Sequence, residues 1–125
     1  MKQAVYILLF VFFVCEVFAI DGNVNKQECI REASVNPALV EKAYNGQVSN
    51  VRQLQCYFKC YYENAGYMDA EGHIQPEKLK ANIPTGVNKV MANKAIDLCK
   101  DRKGKDSCET AYVVQKCLLD NSIQF

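Results

Sequence analysis

The amino-acid sequence predicts an all-α domain of six short helices, stapled by three disulfides. Three observations carry that prediction. Apolar residues recur at helical spacing in segments divided by Pro, Gly and Asn. No segment shows the strict alternation of a half-buried strand. Once a removable leader is set aside, an even set of six cysteines remains in a short chain.

The leader comes first because it sets the redox compartment. Lys2 supplies a short positive start, and Ala4 to Cys15 is an unbroken apolar run. Val17-Phe18-Ala19 then places small or apolar residues where a signal peptidase reads, which predicts cleavage after Ala19. Residues 1–19 are thus expected to be a signal peptide and residues 20–125 a single domain. The apolar run has 12 residues, short of the roughly 20 that a spanning helix needs. Cys15 leaves with the leader, and the remaining cysteines meet an oxidising, extracellular medium. A core this small is marginal, and three bridges at about 2–4 kcal/mol each offset that weakness. The net charge of +1 offers no basic excess for a phosphate backbone, so nucleic acid is not expected as a partner.

The helices follow from local punctuation. Residues 24–35 carry Val24, Cys29, Ile30 and Ala33 before Asn36-Pro37 interrupts. Asn36 as cap and Pro37 at the first helical position start a short second helix, stopped near Asn45-Gly46. Ser49 opens a longer third helix through Val51, Leu54, Phe58, Tyr61, Tyr62 and Ala65 to a stop at Gly66. Tyr67 to Gln75 reads as a polar loop, and Pro76 starts a short fourth helix through Leu79 to about Asn82. Pro84 precedes a fifth helix whose apolar stripe is Val87, Val90, Met91, Ala95 and Leu98. Gly104 ends its run-out. Asp106, with Glu109 three residues on, forms a capping-box-like start for a sixth helix holding Tyr112, Val113, Val114, Leu118 and Leu119.

The cysteines are Cys29, Cys56, Cys60, Cys99, Cys108 and Cys117, at intervals of 26, 3, 38, 8 and 8 residues. Cys56 and Cys60 lie one turn apart on one face of a helix, where their parallel Cβ vectors oppose a mutual bridge. Each must reach another segment. Cys108 and Cys117 leave nearly opposite sides of the sixth helix and must find different neighbours. Geometry alone does not select among the fifteen pairings that six cysteines allow.

This spacing resembles that of the insect odorant-binding proteins, the six-cysteine pheromone- and general-odorant-binding family, at all five intervals. The stretch Asp69-Ala70-Glu71-Gly72-His73-Ile74, followed by Glu77-Lys78-Leu79, is similar to that family's loop and fourth helix. The resemblance implies a six-helix fold around an apolar ligand cavity. It also implies the pairing Cys29–Cys60, Cys56–Cys108 and Cys99–Cys117. The implied activity is carriage of small hydrophobic molecules through aqueous lymph, without catalysis or cofactor. Expected ligands are odorants and pheromones, such as a volatile or semi-volatile alcohol, ester, aldehyde or fatty acid. The expected protein partner is an odorant receptor, and the expected state is a monomer or weak homodimer.

A carrier needs a concave apolar site with one or two orienting polar groups. Candidate walls on the helical stripes are Phe58, Tyr62, Leu79, Ile83, Val87, Val90, Met91, Val114 and Leu118. Met68 and Met91 add adaptable thioethers. Tyr62 and Tyr112 each offer a hydroxyl to an alcohol, ester or aldehyde oxygen. Only eight residues follow Cys117, too few for an extra helix, so Ile123 or Phe125 is expected to close the mouth. His73, the single histidine, sits in the polar loop and is expected to be solvated. If affinity falls with pH, the terminal carboxylate or Asp120 is the expected trigger.

Rival readings have weaker support. A secreted phospholipase would need a His-Asp pair within its cysteine-rich helix, whereas this one reads Cys56-Tyr57-Phe58-Lys59-Cys60-Tyr61-Tyr62. A saposin-like membrane-active protein would need different cysteine spacing and a strongly basic helix face. A zinc site at Cys56-x3-Cys60 is disfavoured by the oxidising compartment, so no metal is expected. A carrier of the same fold for lipids or hormones, outside smell, is not separated from an olfactory one at this level.

Overall fold

A computed structural model of the protein describes residues 25–125. The expected signal peptide, Val24 and the start of the expected domain lie outside the described residues. Six helices follow in order: α1 (Lys26–Ala33), α2 (Pro37–Tyr44), α3 (Arg52–Ala65), α4 (Pro76–Ala81), α5 (Lys89–Cys99) and α6 (Ser107–Asp120). Among the described residues the only β pairing is an isolated antiparallel bridge between Met68 and Ile74.

The helix ends answer to local chemistry. The Asn25 side chain accepts from the backbone N–H of Glu28 to open α1, and Asn36 accepts from Ala38 to open α2 ahead of Pro37. Helix α3 begins three residues later than Ser49 suggested, after an extended Val51 that carries no capping side chain. Asn50 is spent elsewhere, accepting from the Gln55 side-chain amide at 2.8 Å. Gly66 ends α3 in the left-handed region at φ 82°, a conformation that strains any residue with a Cβ. Asp106 opens α6 by accepting from the Glu109 N–H, while the Glu109 carboxylate reaches back to the N–H of Lys105 rather than Asp106. The box is therefore displaced by one residue.

Helices α3 and α6 form the most extensively packed pair. The Arg52–Asp106 ion pair at 2.8 Å, the Cys56–Cys108 bridge and the Tyr62–Gln115 hydrogen bond succeed one another along both helices in the same direction. The two helices therefore run parallel, side by side. Cys29–Cys60 ties α1 to α3 one turn beyond the Cys56 bridge, and Cys99–Cys117 ties the end of α5 to the last turn of α6. The structure thus carries the pairing that the resemblance implied.

Two sequence expectations need correction. The buried face of α5 is Ala92, Ala95, Ile96 and Cys99, not the stripe through Val90, Met91 and Leu98, all three of which are exposed. Cys99 decides this, because its bridge to Cys117 turns its own face of the helix inward and puts Ala92 and Ala95 against the body. The helix also begins later, at Lys89, where the Asn88 side chain accepts from the N–H groups of Val90 and Met91. Tyr67 to Gln75, in turn, is more than a solvated loop. Tyr67 and Met68 are buried, and one Asp69 oxygen accepts from the N–H groups of Glu71 and His73. These bonds hold the Asp69 carboxyl below its usual range, the His73 backbone bond contributing most. His73 is exposed as expected, with Nδ1 3.3 Å from Asp69. Asp69, Glu71 and His73 offer ligand atoms within 4.8 Å of one another, but Asp69 is already engaged in closing this turn.

Candidate functional site

The interior is built on α3, whose buried residues include Leu54, Tyr57, Phe58, Tyr61 and Tyr62. Their spacing gathers aromatic rings along one side of the helix. Tyr57 meets Phe58 edge-on at 5.2 Å, and Tyr62 meets Tyr67 edge-on at 5.5 Å. Such pairs contribute about 0.5–1.5 kcal/mol beyond their area. From α2, Tyr44 brings its hydroxyl to 3.5 Å from that of Tyr57, and the Lys26 ammonium of α1 lies 4.6 Å from the Tyr44 ring centre. Burial raises the hydroxyl pKa of Tyr44, Tyr57, Tyr61, Tyr62 and Tyr67, so all remain neutral at physiological pH.

Opposite α3, helix α6 presents Ala111, Tyr112, Val114, Gln115 and Leu118. Gln115 is 1% exposed, yet polar. The Tyr62 hydroxyl donates to its Oε1 at 2.7 Å, and its Nε2 has no hydrogen-bond partner among the described residues. Leaving a buried donor unpaired costs about 1–3 kcal/mol. Sequence reasoning passed over Gln115 because a lone glutamine on a helix ordinarily points to water. Its position three residues after Tyr112 and three before Leu118, both buried, was the available signal.

The chain end lies against this interior. Ser122 adopts a left-handed turn at φ 62°, after which Ile123 is buried. Gln124 donates from Nε2 to the Tyr44 carbonyl at 3.2 Å, and the Phe125 ring stands edge-on to Tyr67 at 5.6 Å. The tail therefore bridges the end of α2 and the turn after α3.

Of the residues expected at a ligand wall, Phe58, Tyr62, Met68, Leu79, Tyr112, Val114, Leu118 and Ile123 are buried in the one core cluster. Ile83, Val87 and Phe125 are partly buried and pack against it. Val90 and Met91 are not brought there: they are 67% and 65% exposed on the outer face of α5. The two expected hydroxyls also separate. That of Tyr62 lies wholly inside, whereas that of Tyr112 feels the surface charges of Lys116 and Asp120. Two surface recesses of about 340 and 370 Å³ are lined by polar residues such as Arg102, Lys116 and Asp120, and Glu71, His73 and Lys100. Neither touches the expected wall.

Known proteins share this organisation. The profile of the PBP/GOBP family matches residues 19–121. General odorant-binding protein 99a of Drosophila melanogaster is 29% identical over 102 residues, covering 78% of this chain and 72% of that one. General odorant-binding protein 69a of the same fly is 23% identical over 95 residues, covering 75% of this chain and 64% of its own length. The chain thus spans a little under two thirds of that relative. Among solved structures, odorant-binding protein 7 of Anopheles gambiae, which has four disulfide bridges and is in complex with an azo compound, superposes with a TM-score of 0.64. It is 27% identical, over 76% of this chain and 77% of its own. Matched by the family profile along most of its length and folded as this relative is, the chain belongs to the PBP/GOBP family of insect odorant-binding proteins.

Proposed function

We propose that this protein is a secreted carrier that encloses a small hydrophobic molecule between α3, α4, α6 and the C-terminal tail, and conveys it through an aqueous body fluid to a receptor. The observation that carries the reading is the convergence of Phe58, Tyr62, Met68, Leu79, Val114 and Leu118 from separate elements into one apolar interior, with Ile123 and Phe125 laid across its edge. An apolar guest gains about 25 cal/mol for each Å² it withdraws from water. Three interlocking bridges support a scaffold that admits a guest without losing its helix arrangement. The Anopheles relative is in complex with an azo compound, which supports a small-molecule guest.

The role in smell, with an odorant receptor downstream, is the reading that best joins family and chemistry. The test is displacement of a fluorescent apolar probe by a panel of volatile and long-chain ligands. Micromolar displacement is expected, with loss of binding after reduction of the bridges. Phe58→Ala and Leu118→Ala are expected to weaken it. Failure of the oxidised, helical protein to bind any apolar probe would sink the carrier reading. Transcripts confined to non-sensory tissue would redirect it to lipid or hormone carriage.

A further inference from the structure

Gln115 occupies the middle of the buried stripe of α6, between Ala111 and Leu118. Its amide is oriented by one neighbour: the Tyr62 hydroxyl donates to Oε1, which turns Nε2 to the remaining side with no partner. The other buried polar side chains among the described residues, Gln55 and Thr110, are both engaged. Gln55 donates to Asn50, and the Thr110 hydroxyl accepts from the N–H of Gly104. Gln115 Nε2 is therefore the single buried side-chain nitrogen or oxygen without a hydrogen-bond partner among the described residues. Native interiors rarely leave such a group unpaired, and Met or Leu would fill the same space without the penalty. An unspent N–H inside an apolar interior calls for an acceptor brought by the guest.

The acceptor's charge can also be read. The buried polar and charged set among the described residues contains no Lys, Arg or His. A carboxylate at Gln115 would be a buried anion facing one neutral donor, and its desolvation would go uncompensated. A carbonyl oxygen needs only the single N–H. We infer that Gln115 Nε2 is the polar anchor of the ligand site, held in place by Tyr62 as a positioning residue, and that it selects neutral carbonyl-bearing guests: ketones, aldehydes and esters. This rests on the carrier reading above.

The test compares a long-chain methyl ketone, the primary alcohol and the n-alkane of the same carbon number in probe displacement, on the unaltered protein and on Gln115→Met. Loss of one hydrogen bond is expected to cut the ketone-to-alkane affinity ratio by about three- to tenfold. A second measurement needs no variant: the infrared carbonyl band of an isotope-labelled ketone is expected at lower frequency in the complex than in hexane. An unchanged ketone-to-alkane ratio, or an unshifted band, overturns the Gln115 assignment while leaving the carrier reading intact. A preference for the alcohol with none for the ketone would place the amide oxygen at the open end and also overturn it. If neither guest displaces the probe and the probe itself does not bind, both readings fall.

Discussion

Tyr62 and Gln115 show how much rests on one hydrogen bond at the scale of single residues. Tyr62→Phe removes the one partner of the Gln115 amide among the described residues and leaves both its ends buried and without a partner there. A loss of about 1–3 kcal/mol is expected in denaturant unfolding, larger than the loss from the double change Tyr62→Phe with Gln115→Met, which buries no orphan group. Equality of the two would show that the orphaned amide carries no penalty. The buried tyrosines add a pH dependence with a definite sign. Their folded pKa values are raised, so the stability they contribute is complete below about pH 10, the unfolded value, and is lost as pH rises beyond it. Tyrosinate absorbance is expected to appear together with loss of helicity. A smooth ionisation of all tyrosines in the folded protein would contradict their burial. Gln115 itself was not legible in the sequence, because its meaning depends on a tyrosine fifty-three positions away on another helix.

Among the elements, α5 separates what local sequence can say from what it cannot. Asn36-Pro37, Gly66 and Asp106 mark helix ends through bonds made within a few residues, and the structure honours each of them. Which face of α5 turns inward is not local. Two stripes of helical period compete, one through Val90, Met91 and Leu98 and one through Ala92, Ile96 and Cys99, and hydrophobicity alone favours the first. The sulfur bridge to α6 selects the second, and its small alanines permit close approach. Val90→Lys with Met91→Lys is therefore expected to change stability by no more than about 0.5 kcal/mol, whereas Ile96→Lys should unfold the domain or nearly so. Thermal unfolding followed by circular dichroism decides, and a large loss from the Val90/Met91 pair would restore the first stripe. The turn after α3 is a related case: Asp69 accepts from the backbone N–H groups of Glu71 and His73, an order that its polar composition does not announce.

For the molecule as a whole, three exposed carboxylates act together. Asp69, Asp97 and Asp106 all have lowered pKa values, through the His73 backbone, Lys80 and Arg52 respectively. A lowered folded pKa gives stability that is present above the unfolded value, about 4, and is lost as pH falls through the folded one. Acid weakening is thus expected below about pH 4 and not between 7 and 5. Denaturant midpoints across that range provide the check, and an early loss near pH 6 would point to a group other than these. Asp106 matters most, since its pair with Arg52 locks the starts of α3 and α6 beside their bridge. The six-helix plan was legible because helix stops and sulfur directions are written in short spacings. The interior was legible only in part, since burial on α3 and α6 follows periodicity but the tail's seat against Tyr44 and Tyr67 depends on tertiary proximity.

The order of the bridges has one more consequence. Cys56 falls inside the loop closed by Cys29 and Cys60, Cys99 inside the loop closed by Cys56 and Cys108, and Cys108 inside the loop closed by Cys99 and Cys117. Every peptide bond between Cys29 and Cys117 is consequently spanned by at least one bridge. A protease that cuts once, for instance in the exposed run Asp101 to Lys103, produces a nick and not two molecules. The halves remain one covalent body until they are reduced. In a protease-bearing fluid such a body outlasts its own broken backbone.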